Sequence, residues 1–305
     1  MILVAGDLQN SGTALAWQLL RQKQSALAAI EQGVRAVEAN EADWSVGLGG
    51  YPNALGEVEL DAGVMDGRTR ICGSVGALRG FLHPISVAYQ VMERLPHALL
   101  VGDGAARFAA EIGAERADLL TDTMRDNLAK WRKQLELEDN PASLIQAVWR
   151  SMDPQYRGGT TVYLAQDAHG DIAVATSTSG WAWKYPGRVG DTPIAGAGYY
   201  ADNRYGAAAC MGKGELAIRT SLARTTVVLM QMGRSVREAV QEALTDTLSL
   251  PDISDGELQL HAIDTQGNHD VAFIGPQEAK NWHSYYVAGG DEPVPVRREA
   301  SRLSL

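Results

Sequence analysis

The stretch Gly158-Gly159-Thr160-Thr161-Val162-Tyr163-Leu164-Ala165-Gln166 decides how the rest of the chain is read. A glycine pair leads into a threonine. The residues after it are rich in β-branched and aromatic types, which predicts a strand over Thr161–Gln166. Gly159 has no side chain, so the backbone there can adopt strained conformations and admit close attack. The Thr160 hydroxyl is then suited to attack the Gly159 carbonyl, move the acyl group from nitrogen to oxygen, and free a new N-terminus on hydrolysis. A free α-amine has an ordinary pKa of about 7.7–8.0. It can serve as general base for the hydroxyl of its own residue. Taken without their surroundings, the same residues are a loop glycine pair entering a strand.

Working outward, Ile172–Ser177 predicts a second strand that pairs with the first across His169-Gly170. It runs into Thr176-Ser177-Thr178-Ser179-Gly180, and then into Gly187-Arg188-Val189-Gly190-Asp191. A second hydroxyl, a guanidinium and a carboxylate thus follow the threonine in order. A guanidinium grips a carboxylate through two parallel charge-assisted bonds. Arg188 and Asp191, three residues apart in a glycine-rich loop, could present opposite charges to the two ends of an amino acid. On spacing alone, a surface salt bridge is the more ordinary reading of this pair.

The remaining pattern predicts a mixed α and β protein. Ile2–Ala5 reads as a buried strand, followed by helices near 11–22 and 25–38, the second capped by Ser25. Leu60–Val75 reads as a hairpin turning at Asp66-Gly67, and Pro84–Leu95 as a helix with proline in its first turn. Leu99–Val101 is strand-like and leads into a further helix from Gly102. Residues 121–152 are charged and helical in pattern, broken at Asp139-Asn140-Pro141. Residues 213–232 and 234–248 predict two helices. Leu258–Ile263 and Asp270–Ile274 predict a hairpin with Gly267-Asn268 at its turn, and the tail after Gly290 reads as disorder-prone. Strands, helices, helices and strands recur in both halves, an order that suits two sheets between helical layers.

Composition narrows the partners. The 305 residues are 45% hydrophobic, enough for a sizeable core. A net charge of −10 with no basic stripe argues against nucleic acid and an anionic membrane surface. No signal peptide or run of membrane-spanning length is evident. Cys72 and Cys210 read as inert thiols in a reducing, cytoplasmic compartment. The six histidines, His83 and His97 among them, show no metal spacing. Gly212-Lys213-Gly214-Glu215 is a loose dinucleotide fingerprint, but no acidic residue follows at the required distance after a second strand. Trp181, Trp183 and Tyr185 read as pocket wall or subunit contact, and Asp61 and Asp66 as turn and hairpin residues.

Several long motifs together resemble one family. Thr160 to Thr178, Gly187-Arg188-Val189-Gly190-Asp191-Thr192-Pro193, Gly196 to Asp202 and Gly212 to Glu215 are similar to the glycosylasparaginase and plant-type asparaginase/isoaspartyl peptidase family of N-terminal-nucleophile hydrolases. Val46 to Gly50, Leu60 to Gly67 and Gly73 to Ala77 extend the resemblance into the first half. It implies an α+β fold, a four-layer αββα sandwich. The single domain would be cut between Gly159 and Thr160 into chains 1–159 and 160–305, and would form a homodimer. By resemblance, Thr160 is the nucleophile and Thr178 the hydroxyl that holds its head group. Arg188 takes the substrate α-carboxylate, Asp191 the α-ammonium, and the Gly212 backbone N–H helps form the oxyanion hole. The implied activity is hydrolysis of the side-chain amide of asparagine derivatives or of β-aspartyl peptides. No cofactor is implied, although plant-type members can hold a structural sodium ion.

The chain departs from the family pattern at several places. Met211 stands where a threonine normally faces the oxyanion, and loss of such a donor typically costs about two to three orders of magnitude in rate. Asp7 replaces a substrate-touching tryptophan, and Tyr51 the serine after Gly49-Gly50. Thr161-Val162 replaces an aliphatic–glycine pair. Two other readings accompany the first. One is a glycosylasparaginase acting on sugar-linked asparagine; the other is a non-catalytic member that binds an amino-acid-like ligand.

Overall fold

The computed structural model describes residues 1–134, 141–150, 159–250, 257–275 and 283–303. The predicted helix break at Asp139-Asn140 and the approach through Tyr156-Arg157-Gly158 lie outside the described residues. Before Thr160 the chain forms β1 (Ile2–Gly6), α1 (Thr13–Arg21), α2 (Ala26–Glu38), β2 (Leu60–Asp66), β3 (Cys72–Leu78), α3 (Pro84–Arg94), β4 (Leu99–Val101), α4 (Gly102–Glu111), α5 (Asp122–Gln134) and α6 (Pro141–Arg150). After it come β5 (Thr161–Gln166), β6 (Ile172–Thr178), β7 (Tyr199–Asp202), β8 (Gly206–Gly212), α7 (Gly214–Thr220), α8 (Leu222–Gln231) and α9 (Val236–Thr247). The chain finishes with β9 (Leu258–Asp264), β10 (His269–Ile274), β11 (Ser284–Gly289), β12 (Val296–Glu299) and β13 (Ser301–Arg302).

Two sheets form. The larger has the order β12-β11-β1-β5-β6-β2-β3-β4, and the smaller β13-β10-β9-β8-β7. β5 and β6 pair antiparallel with Thr161 opposite Ser177 and Gln166 opposite Ile172. Successive side chains of a strand point to opposite faces. Here both faces are covered, which is why these strands read as continuous apolar runs. Val162, Leu164, Ile172 and Val174 join Ala207, Ala209, Met211 and Ile263 of the smaller sheet in one cluster between the sheets. Tyr163, Ala165, Ala173 and Ala175 point the other way, onto α1, α2 and α3. The outer face of the smaller sheet, with Cys210, Leu258, Leu260 and Ala262, packs on α7, α8 and α9.

Helix ends follow their sequence signals. Ser25 accepts the Ala28 N–H at 3.2 Å, and Ser235 forms a capping box with Glu238. α2 buries Ala26, Ala29, Ile30, Val34 and Val37 along one stripe. Each larger member of that stripe contributes about 1.5–3 kcal/mol. The predicted helix over 213–232 is instead two, because Ser221 adopts a left-handed conformation (φ 48°) between α7 and α8. The described residues of the tail after Gly290, through Leu303, join the sheets, contrary to the disorder-prone reading. Its side chains are exposed, but β12 pairs with β11 and β13 with β10. Charged residues suit such edge strands, and they hid the pairing from a compositional reading.

One buried carboxylate ties three elements beneath the site. Glu38, at the end of α2, accepts from the Ile85 N–H (2.9 Å) at the start of α3 and from the Ser177 hydroxyl (2.7 Å) on β6. It also faces His83 Nδ1 at 3.3 Å. Burial raises its pKa, and these partners offset only part of that rise. Glu38→Ala leaves those donors unsatisfied and should destabilise the protein by about 3 kcal/mol, read as a lower urea midpoint with an unchanged m-value.

Candidate active site

The pairing of β5 with β6 brings Thr160 opposite Thr178. Thr160 is 6% exposed and opens β5, one step before the Thr161–Ser177 pair. The Thr178 hydroxyl donates to the Gly159 carbonyl at 2.6 Å and accepts the Gly180 N–H at 2.9 Å. A donor on that carbonyl oxygen draws electron density from its carbon, the atom a Thr160 hydroxyl would attack. On the other side stands Ser45. Its carbonyl accepts the Ser179 N–H at 2.8 Å, and its hydroxyl donates to Asp43 Oδ1 at 2.6 Å. A Cβ on Gly159 would lie 2.5 Å from the Ser45 hydroxyl. Glycine is required there by this close approach.

Gly159, Thr160, Thr178, Gly180, Trp181, Arg188, Gly190, Asp191, Thr192 and Gly212 line one narrow cleft. The structure therefore brings every sequence-predicted site residue to one place. Arg188 and Asp191 do not pair as a surface salt bridge. Arg188 donates through Nε and Nη2 to Glu215 Oε1, at 3.1 and 2.8 Å, with its guanidinium 5.0 Å from the centre of the Trp181 ring. That leaves Nη1 without a hydrogen bond among the described residues. Asp191 is buried, and its Oδ2 has no partner among the described residues. Burial pushes its pKa up to about 7, against a smaller opposing pull from Arg188. A cation beside this carboxyl would favour its ionised form.

Gly212 ends β8 with φ 124°, and a Cβ there would collide with the Glu257 carbonyl, so glycine is required. Met211 is buried and sits in the ladder opposite Gln259. Directly opposed residues share a face. Gln259 is 2% exposed, and neither its oxygen nor its nitrogen has a partner among the described residues. Next on that face of β9 is His261, whose ring meets Tyr285 edge to face at 6.4 Å and whose pKa burial pushes down to about 3.

Sequence reasoning missed the residues that hold the Arg188–Asp191 loop. Asp66 is a turn residue, accepting from the Arg68 N–H and the Thr69 hydroxyl. Asp61 is not. It lies inside β2, fully buried, and accepts the Ala77 N–H at 2.8 Å and the Gly190 N–H at 3.2 Å. Glu59 accepts the Gly187 N–H through both oxygens at 3.1 Å. Lys184 donates to the Glu59 carbonyl at 2.9 Å, and burial lowers its pKa. Two carboxylates thus tie the loop to the sheet on either side of Arg188. The available signal was an aspartate within an apolar strand, where only a partnered charge is tolerated.

Of the aromatic group, Trp181 lines the cleft, Trp183 is buried and stacked on Trp131 at 5.0 Å, and Tyr185 is exposed. Asp7 is buried and accepts from the Gly12 N–H and the Tyr163 hydroxyl, at 2.9 and 2.8 Å. Thr161 donates to the Gly6 carbonyl at 3.0 Å, which fixes β5 against the end of β1. Burial raises the pKa of both Cys72 and Cys210, as expected of inert thiols. Among the described residues no cluster of histidine, cysteine or carboxylate could hold a metal ion. No described helix is long and apolar enough to cross a membrane.

Comparison with known proteins adds relatives to this geometry. The family model described as asparaginase matches residues 8–286. An N(4)-(beta-N-acetylglucosaminyl)-L-asparaginase of Elizabethkingia miricola is 42% identical over 229 residues, 75% of this chain and 64% of that protein. An isoaspartyl peptidase/L-asparaginase of Bos taurus is 37% identical over 231 residues, 75% of this chain and 71% of that protein. A putative N(4)-(beta-N-acetylglucosaminyl)-L-asparaginase of Drosophila melanogaster is 34% identical over 312 residues, covering 93% of this chain and 79% of that protein. The chain therefore belongs to the asparaginase family, hydrolases of the N-terminal-nucleophile type.

Proposed function

We propose that this protein is an autoprocessed threonine amidohydrolase that opens β-aspartyl amide bonds, built as a four-layer αββα sandwich. The three apolar clusters, one between the sheets and one beneath each helical group, support that architecture. The observation that carries the activity is the 2.6 Å bond from the Thr178 hydroxyl to the Gly159 carbonyl, directly preceding Thr160. Thr160 Oγ attacks that carbonyl carbon, the C–N bond breaks, and the Gly159 acyl group passes to oxygen as an ester. Water then hydrolyses the ester, leaving a Gly159 carboxylate and a free Thr160 amine.

The same hydroxyl, its proton drawn by that amine, attacks the β-carbonyl of a substrate held by its amino-acid end. Arg188 binds the α-carboxylate through the donor it does not spend on Glu215, and Asp191 receives the α-ammonium. The Gly212 N–H stabilises the tetrahedral oxyanion. The departing amine takes the proton, and water releases aspartate from the Thr160 ester. The family relatives named isoaspartyl peptidase/L-asparaginase support this reading over a binding-only role.

Thr160→Ala should stop both reactions. Intact-mass analysis would find a single uncut chain, and hydrolysis of β-aspartyl dipeptides would disappear. A fragment beginning at residue 160 in that variant, or retained turnover, removes the assignment.

Asp191 attracts an ammonium only when ionised, and its carboxyl is raised to about 7. Inhibition by the product L-aspartate should therefore strengthen as pH rises through about 7 and level off above it. Asp191→Asn should weaken inhibition and flatten that profile.

Met211 gives the oxyanion no hydroxyl, and Gln259 beside it is the nearest buried polar side chain on that face of the ladder. Met211→Thr should raise kcat by about ten- to a hundredfold with little change in KM, because the added donor acts on the transition state. An unchanged kcat would mean the oxyanion is already fully served.

A further inference from the structure

β9 sends two polar side chains into the layer between the sheets. Gln259 and His261 are both buried there, on the face that also carries Ile263. The rest of that layer is built largely from apolar residues such as Val4, Val162, Leu164 and Met211. Neither polar atom of the Gln259 carboxamide, and neither ring nitrogen of His261, makes a hydrogen bond among the described residues. A carboxamide taken out of water without partners is costly, so its presence calls for a partner. The reaction steps above do not use Gln259.

The register between the sheets says what Gln259 faces. A Cβ on Gly6 would lie 3.0 Å from His261 Nε2 and 3.1 Å from a Val162 methyl, and Gly6 sits opposite Val162. His261 therefore stands at the level of Val162. β9 starts at Leu258, opposite Gly212, and Gly212 lines the cleft. Gln259 is thus two residues from His261 toward the cleft, a step of about 7 Å. Thr160 is two residues from Val162 in the same direction. Residues two apart on a strand share a face. Val162 points at the smaller sheet, and Thr160 continues that alternation. Packed sheets lie about 10 Å apart, and a glutamine side chain spans about half of that. β9 also packs across both β1 and β5. Gly159 leaves Thr160 on the β1 side, where a Cβ would lie 3.1 Å from Leu8, itself packed on the layer between the sheets. Opening the Gly159–Thr160 bond therefore exposes the new amine on the side that Gln259 covers.

The geometry points to Gln259 as a positioning residue for the general base: its side-chain oxygen accepts a hydrogen bond from the free α-amine of Thr160. The inference rests on the autoprocessed amidohydrolase reading above and adds a residue to it. A neutral amine has two N–H groups and one lone pair. Anchoring one N–H on Gln259 turns the lone pair toward the hydroxyl of the same residue. When the amine takes that proton, Gln259 accepts from an ammonium, a stronger bond than it made to the neutral amine. The proton then passes to the departing amine, and the first arrangement returns. Other charges face the junction from the surrounding elements. Arg188 and Asp191 stand across the cleft, Asp43 behind Ser45, and Asp7 at the end of β1. His261, on β9 itself, is kept neutral by burial. Gln259 differs from the acids among them in giving the amine an acceptor that carries no charge.

The test follows kcat against pH for the full-length, self-processed protein hydrolysing β-aspartyl-leucine. The kcat profile reports groups in the loaded enzyme, where Asp191 already meets the substrate ammonium, so its acid limb reads the amine. Gln259→Met keeps the volume and removes both polar atoms. This variant should still cut itself at Gly159, shown by intact mass, because the role begins only with the free amine. Its kcat should fall about tenfold or more, with KM within about twofold of wild type. Losing an acceptor that favours the ammonium should move the acid limb to lower pH by about half a unit to one unit. Gln259→Glu puts a negative charge beside the amine and should move the limb the other way, to higher pH, by about one unit. A packing defect alone would not displace the two variants in opposite directions. A kcat for Gln259→Met within about twofold of wild type overturns this inference, as do limbs that fail to separate in the two variants. So does a Gln259→Met chain that stays uncut. Each of these outcomes leaves the amidohydrolase standing. A wild-type protein that hydrolyses no aspartyl amide overturns the amidohydrolase reading itself, and this one with it.

Discussion

The register of β5 against β6 is the constraint from which the site follows. With Thr161 set opposite Ser177, Thr178 necessarily faces the start of β5, and its hydroxyl meets the Gly159 carbonyl. A slip of one residue would turn Val162, Leu164, Val174 and Ile172 away from the smaller sheet and expose polar atoms to it. The burial of both sheet faces therefore enforces the pairing, and the pairing sets the geometry of the junction. The same strand β6 carries Ser177 to Glu38 and, through β2, lies beside Asp61. The cleft is held from below by buried carboxylates whose donors are backbone N–H groups or a hydroxyl.

That arrangement explains why Arg188 and Asp191 do not pair with each other. Glu59 accepts from the Gly187 N–H and Asp61 from the Gly190 N–H, which ties down the loop on both sides of Arg188. Arg188 is braced by Glu215 and Trp181 rather than by Asp191. The two charges are thereby kept apart. Had they paired with each other, the ligand would have had to break a buried ion pair before binding. Holding Asp191 buried without a partner for Oδ2 is reflected in its raised carboxyl, for which burial is the main cause.

The sequence disclosed the elements and the chemistry-bearing residues to different depths. Apolar runs and turn residues located β1, β2, β5, β6, β9 and β10, because their patterns are local. Thr160, Thr178, Arg188, Asp191 and Gly212 were legible because they sit in long motifs, and all five reach one cleft. Asp61, Glu59 and Ser45 were not, since their role is to bond backbone groups more than a hundred residues away, which no local pattern encodes. The edge strands β12 and β13 were missed for a related reason. Their composition is charged, and only their backbone joins the sheets.

The order of strands also bears on how such a chain can be cut and remain whole. In the larger sheet, β5 and β6 stand between β1 and β2, and β11 and β12 complete the edge beyond β1. Strands from either side of Gly159 therefore alternate in blocks across one hydrogen-bonded ladder. Every apolar cluster that touches this sheet on the side of α1, α2 and α3 mixes Leu3, Val64 and Val75 with Tyr163 and Ala175. Breaking one peptide bond at the rim removes none of these pairings. Nor can the pairing register that aligns Thr178 with the junction exist until both halves have folded together. On the cleavage proposed above, the chain is assembled before it is opened, and the two pieces stay joined by the same strand pairings.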